Sequence, residues 1–162
     1  MTVLQRITTE YVDLEDRIRV SGETANAATV SLWLTQRLLG RLVAVILPWV
    51  AEGDDDYQAV KNGFSQAAAR AGLQRQPPVL AQASPCLVTK VDLRHDAEAL
   101  TLTFCGADGL VAELTLQRQD VRQWLNILYD AWRAAGWPAG VWPDWMDAQA
   151  MPPPAAPQAR LH

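Results

Sequence analysis

The feature that most constrains the fold is a hydrophobic pattern that occurs twice in the chain, 82 residues apart. In both copies the two-residue alternation typical of a strand runs directly into the spacing typical of an amphipathic helix. The matched residues are Leu32, Leu34, Leu39, Leu42, Val43, Val45 and Ile46, followed by Leu114, Leu116, Val121, Trp124, Leu125, Ile127 and Leu128. We interpret the pattern as one α+β unit used twice, with chance similarity between two amphipathic units as the alternative.

The first half, residues 3–50, is predicted to hold three antiparallel strands and a helix. The strand segments are rich in β-branched and aromatic residues and are separated by turn-like sequences. They lie at 3–13, 16–22 and 28–34. Thr35 then stands where a helix N-cap belongs, and Pro48 should end or bend the helix that follows.

The second half, residues 86–135, repeats this order. Strands are predicted at 86–94, 99–106 and 110–116. Asp108 and Gly109 supply the turn of the second hairpin, since glycine readily adopts positive φ. The helix that follows should end at Gly136, which is typical of a helix stop.

The remaining segments connect or follow the two halves. The connecting segment 51–85 is predicted to form a helix, from helically spaced apolar residues that include Val60 and Phe64, and then an exposed Pro/Gln/Ala-rich linker. Residues 137–147 form a Trp-rich strap, and the Pro/Ala-rich tail 148–162 is predicted to be disordered. We therefore expect a single α+β domain over 1–147, as two separate sheets or as one continuous sheet.

Composition limits the function classes. The net charge is −4 and no run of Lys or Arg occurs, so nucleic acid is an unexpected partner. The apolar run 42–50 is too short for a membrane span, and the N-terminus lacks a secretory signal pattern, which indicates the cytoplasm. Two separated cysteines are expected to be free thiols in that compartment.

No pattern of catalytic or metal-binding residues is found, and no cofactor is expected. The acidic run 52–56 lacks the alternating ligand spacing of a calcium loop and is better read as a helix cap. Asp13 and Asp92 follow recurrent Val-Asp-Leu segments and form the best acid/base candidate, but solvated strand ends are the simpler reading. His95 beside Asp96 is a weaker candidate because turns exclude water poorly.

Two sets of residues are candidates for binding a partner. The strap contains Trp137, Trp142 and Trp145, and tryptophan is enriched in binding hot spots, although the strap could equally dock on its own domain. Arg37 and Arg41 lie one helical turn apart and predict an acidic or anionic partner, either within the chain or outside it.

The helix over 35–50 is apolar around more than half of its circumference, whereas the helix after Leu116 is properly amphipathic. Leu38, Val45 and Leu47 should therefore be covered at the domain centre or at a dimer interface. The predicted function is a non-catalytic protein-interaction or assembly module that associates with itself or with another protein. The alternative is a small-molecule sensor with a pocket between the halves, lined by Trp33, Trp49, Phe104, Trp124 and Trp132.

Overall fold

The structure is a computed structural model that describes residues 1–51 and 56–147. In chain order the elements are β1 (Thr2–Val12), β2 (Arg17–Thr24), β3 (Thr29–Leu34), α1 (Gln36–Val50), α2 (Asp56–Ala71), β4 (Cys86–His95), β5 (Ala99–Gly106), β6 (Val111–Gln117), α3 (Arg118–Ala135) and a 3₁₀ turn (Asp144–Met146). The predicted α+β class is confirmed. The helix cap predicted at 52–56 and the disorder predicted for 148–162 fall on residues or side chains outside this description.

The six strands form one closed sheet in which neighbouring strands follow the chain order. β1, β2 and β3 pair antiparallel, as do β4, β5 and β6. We call β1–β3 with α1 the first unit and β4–β6 with α3 the second unit. Two short parallel seams join the units, one between β3 and β4 and one between β1 and β6. Of the two arrangements that the sequence left open, the continuous sheet is therefore the one observed.

The antiparallel ladders of the two units share one register. Ile18 of β2 pairs with Leu34 of β3, and 82 residues later Leu100 of β5 pairs with Leu116 of β6. The N-caps of the two helices, Thr35 and Gln117, are also 82 residues apart. Residues at equivalent register positions are called counterparts below.

The first strand of each unit contains a register shift at the same level. After the shift, Arg6 of β1 lies opposite Glu23, and Lys90 of β4 lies opposite Cys105. Since Glu23 and Cys105 are 82 residues apart while Arg6 and Lys90 are 84 apart, counterparts on β1 and β4 are related by 84 residues.

Local sequence signals set the ends of α1 and α3. The Thr35 Oγ1 accepts the Leu38 N–H at 3.2 Å, as expected of an N-cap, and Pro48 lies within the last turn of α1. At the start of α3 the Asp120 carboxylate accepts the Gln117 N–H at 3.3 Å. α3 ends at Gly136, whose φ of 70° favours glycine.

The inward faces of the strands and the buried faces of α1 and α3 form one hydrophobic core. Its fully buried members include Ile18, Leu32, Leu34, Leu39, Ile46, Leu100, Leu102, Phe104, Leu125 and Leu128. None of the described helices combines the length and the apolar character that a membrane crossing requires.

α2 packs against α3 through polar side chains. Val60 and Phe64, which belong to the apolar stripe that indicated this helix, are 45% and 57% exposed. Asn62 and Gln66 are buried instead, and both accept hydrogen bonds from Arg122 of α3 at 3.1 Å. A buried guanidinium needs acceptors, so the polar face of α2 turns inward.

Candidate functional site

A shallow groove lies between α1 and β4. Its volume is about 280 Å³, below the range of roughly 300–1,000 Å³ typical of small-molecule pockets. It suits a few side chains of a larger partner better than a whole ligand. The α1–β4 groove, as we call it, is lined by Leu38, Arg41, Leu42, Val45, Thr89, Lys90, Val91 and Leu93.

The apolar side chains of this groove are open to solvent. Val45 is 56% exposed, and Leu38, Val91 and Leu93 are half-buried. Clustered apolar surface of this kind marks a place where burial by a partner is favourable.

Two cationic side chains lie at the rim of the groove. The Lys90 ammonium contacts the Asp92 carboxylate at 3.1 Å, and this hydrogen bond raises the pKa of Lys90. Arg41 is exposed and, like Arg37, forms no ion pair with any residue in the ranges 1–51 and 56–147. The internal acidic partner considered for these arginines is therefore not among the described residues.

A second groove, between α3 and β1, is the counterpart of the first. Ile7 is the counterpart of Val91 on the strand, and Ile127 is the counterpart of Val45 on the helix. The α3–β1 groove has additional walls that the α1–β4 groove lacks, because the linker after α2 crosses it. These walls are formed by Leu73, Gln74, Gln76 and Pro77.

The linker is anchored to β1 next to this groove. Arg6 donates a hydrogen bond to the Pro77 carbonyl, and the Val79 N–H donates to the Thr8 Oγ1 at 2.8 Å. The Val79 side chain is only 4% exposed. The sequence predicted an exposed linker, and most of its residues are exposed, but Val79 is buried on the outer face of β1–β3.

The strand β4 carries the same kinds of polar group as β1. Lys90 is the counterpart of Arg6, and both are cationic donors. Asp92 is the counterpart of Thr8, and both offer oxygen acceptors.

The helix side of the two grooves follows the same rule. Gln123 Nε2 donates a hydrogen bond to the Ala69 carbonyl in the last turns of α2 at 3.2 Å. Its counterpart on α1 is Arg41, which is also a donor. The α1–β4 groove therefore has the donors and the acceptor that hold the linker in the α3–β1 groove, but no described segment covers it in this way.

The predicted interface residues of α1 are divided between two environments. Leu38 and Val45 line the α1–β4 groove. Leu47 is 8% exposed and belongs to the hydrophobic core, beside a cavity that Trp142 also lines.

The three strap tryptophans pack against the protein's own helices and strands. Trp137 is 7% exposed and donates its Nε1–H to Asp16 at 2.8 Å. Trp142 is 8% exposed and packs edge-on against Trp132 at 5.6 Å between ring centroids. Trp145 is half-buried, so within this cluster it is the ring with most surface left for a partner.

The five aromatic residues predicted to line a ligand pocket lie in three different settings. Phe104, Trp124 and Trp132 are packed in the core. Trp33 lies on a strand under the Arg19 guanidinium, 5.9 Å from its ring centroid. Trp49 lies 4.3 Å from the Arg118 guanidinium and donates to the Asp96 carbonyl.

The candidate acid/base residues do not occupy matching places. Asp92 lies within β4 opposite Thr103, so its counterpart is Thr8, which lies opposite Ser21. Asp13 instead lies in the exposed β1–β2 turn. The predicted match failed because recurrent Val-Asp-Leu segments, 79 residues apart, do not follow the register of the strands.

The histidine and cysteine candidates have local structural contacts. His95 is exposed beside the Trp49 ring, and Asp96 accepts two backbone N–H groups in its turn, which lower its pKa. Both cysteines are free. Burial, together with a hydrogen bond to Asp108, raises the pKa of the Cys86 thiol.

Sequence reasoning missed the contribution of β4 to the candidate site. A signal was present: Val88 and Val91 are three residues apart, which breaks the two-residue alternation of a regular strand. The register shift between Val88 and Lys90 accounts for this break.

Comparisons with protein-family models, with curated proteins and with solved structures find no match for this chain.

Proposed function

We propose that the protein is a non-catalytic protein-interaction module that binds an extended segment of a partner protein in the α1–β4 groove. The observation that carries this proposal is the state of the counterpart groove. There an extended segment of the chain itself, the linker, lies between α3 and β1 and is anchored by Val79.

The lining residues define the chemistry of the bound segment. Small apolar side chains pack on Val45 and Val91, since the groove is shallow and largely aliphatic. Backbone carbonyls accept hydrogen bonds from Arg41 and Lys90, and a backbone N–H donates to Asp92. Main-chain hydrogen bonds of this kind supply affinity, while the apolar contacts supply specificity.

We also propose that the two units arose by duplication of one unit. The common register, the paired register shifts and the helix N-caps 82 residues apart support this origin. Under this proposal both grooves descend from one segment-binding groove, of which the first is now filled by the linker.

A peptide selection on the full chain tests the proposed function. Random peptides of about twelve residues are displayed on phage and selected on the immobilised protein, and the enriched sequences are titrated by fluorescence polarisation. We expect enrichment of Val-, Pro- and Ala-containing peptides whose binding weakens about tenfold or more in Val45→Asp, because a charge is then buried under the peptide.

Val60→Asp is the matched control, since Val60 is another helical valine of similar exposure, 45% against 56%. Circular dichroism verifies that both variants fold. The proposal is wrong if no peptide is enriched, or if the enriched peptides lose affinity for the Val60 variant and keep it for the Val45 variant.

A further inference from the structure

We propose that residues 148–162 of the same chain bind in the α1–β4 groove as an extended segment and compete there with the partner segment. The inference rests on the proposed function of this groove and names a ligand that the chain itself carries.

The sequence of this segment resembles that of the linker. The linker reads Pro-Pro-Val-Leu-Ala-Gln-Ala over 77–83, and the later segment reads Pro-Pro-Ala-Ala-Pro-Gln-Ala over 153–159. Both are small, apolar and stiffened by proline, so both favour extended conformations that lose little entropy on binding.

The alignment also assigns the anchoring contacts. Pro153 takes the place of Pro77, whose carbonyl accepts from Arg6, so its carbonyl is offered to Lys90. Ala155 takes the place of Val79, so its N–H is offered to Asp92 and its smaller side chain forms a weaker anchor. A weaker anchor is what a displaceable competitor requires.

The path of the chain leads toward this groove. After α1, the chain packs α2 on α3 and then crosses the α3–β1 groove. After α3, the strap runs beside α1, where Val141 and Trp142 share a cavity lining with Ala44 and Pro48. Pro48 lies one turn from Val45 on α1, so the strap already reaches the helix face next to the α1–β4 groove.

The length of the segment is sufficient to complete this path. Fifteen residues follow Asp147 in the sequence, and an extended proline-rich segment spans ~3.1 Å per residue, roughly 45 Å in total. A helix is only about 10–12 Å in diameter. Because a short tether gives an effective concentration near the millimolar range, binding within one chain is favoured over binding between two copies.

Photo-crosslinking in the full chain tests the proposal. The photoreactive residue p-benzoylphenylalanine replaces Val45, and in a control protein it replaces Leu80, a linker residue that is 74% exposed. After irradiation we expect the Val45 probe alone to form crosslinks to peptides from 148–162, in a product with the mass of a monomer. Absence of these crosslinks, or crosslinks between two chains, overturns the proposal.

A second variant, Pro153→Asp with Pro154→Asp, removes the apolar segment without altering any described residue. We expect it to lose the crosslinks and to bind the phage-selected peptides about tenfold more tightly, because the internal competitor is gone. Unchanged peptide affinity together with retained crosslinks overturns the competition.

The two proposals fail in different ways. Crosslinks without any selected peptide mean that the groove is closed by its own chain and that the proposed function is wrong. Selected peptides that require Val45, without crosslinks, mean that the groove binds partners and that residues 148–162 lie elsewhere.

Discussion

Arg122 is the residue on which the α2–α3 interface depends. It is 4% exposed and donates to the side chains of Gln66 and Asn62 and to the Val50 carbonyl. We expect Arg122→Ala to lower the free energy of unfolding by about 3 kcal/mol, since three buried acceptors lose a charged donor. Urea denaturation measures the change.

The control for this prediction is Arg133→Ala, which truncates an exposed arginine on the same helix. Its effect should stay within about 0.5 kcal/mol. Equal losses in the two variants would mean that the buried network contributes nothing specific.

Tyr11 makes stability depend on alkaline pH. Its hydroxyl donates to Asp16 at 2.8 Å, and this hydrogen bond raises the pKa of Tyr11 to about 12 from 10.0. The folded protein therefore holds this proton more tightly than the unfolded chain. The stability from this contact is complete below pH 10 and is lost as the pH rises toward about 12.

We expect Tyr11→Phe to remove part of this alkaline loss, measured as the change in urea midpoint between about pH 9 and about pH 11. Asp16→Asn should reduce the loss too, because it removes the negative charge beside the phenol. The same pH dependence in all three proteins would show that the contact does not control it.

At the scale of elements, the sequence predicted where strands and helices lie much better than which helix faces are buried. Alternation and capping residues are local signals, so α1 begins after Thr35 as expected. The buried face of α2 was not predictable from its apolar stripe. Its partner is Arg122, whose burial depends on a contact 56 residues away from Gln66.

The candidate site was predicted in part for the same reason. Leu38, Val45 and Arg41 were recognised on α1 because that helix has too much apolar surface for one contact face. The β4 side of the groove, with Lys90 and Val91, depends on a register shift and on strand pairing, which are non-local.

The linker should behave as a structural element because one side chain anchors it. Val79 is 4% exposed, whereas the adjacent Leu80 is 74% exposed. We expect Val79→Ala to destabilise the protein by about 1.5 kcal/mol, from roughly two methylene groups removed from the interface. It should also speed proteolytic cleavage of the linker under native conditions.

Leu80→Ala is the matched control for Val79→Ala, because it truncates a neighbouring side chain that is already in water. Its unfolding free energy should change by no more than about 0.5 kcal/mol. Faster cleavage in the Leu80 variant than in the Val79 variant would contradict the anchoring role.

For the whole molecule, closure of the sheet depends on its two parallel seams. Leu32 and Trp33 pair with Cys86 and Leu87 at one seam, and at the other Thr2–Leu4 pairs with Ala112–Leu114. The antiparallel ladders within each unit extend along almost the whole strands. The seams were not predictable because hairpin turns specify only the pairing between consecutive strands.

This difference in pairing predicts an order of opening. Local stability follows the extent of hydrogen bonding and burial, so the seams should open before the ladders. Native-state hydrogen exchange followed by NMR should find the slowest amides in β2 and β5, at positions such as Val20 and Leu102, whose side chains are fully buried. Amides of the seam strands, such as Val3 and Leu87, should exchange at lower opening free energies. Seam amides as protected as Val20 would mean that the sheet opens as a single unit, and the division of the molecule into two units would then have no energetic basis.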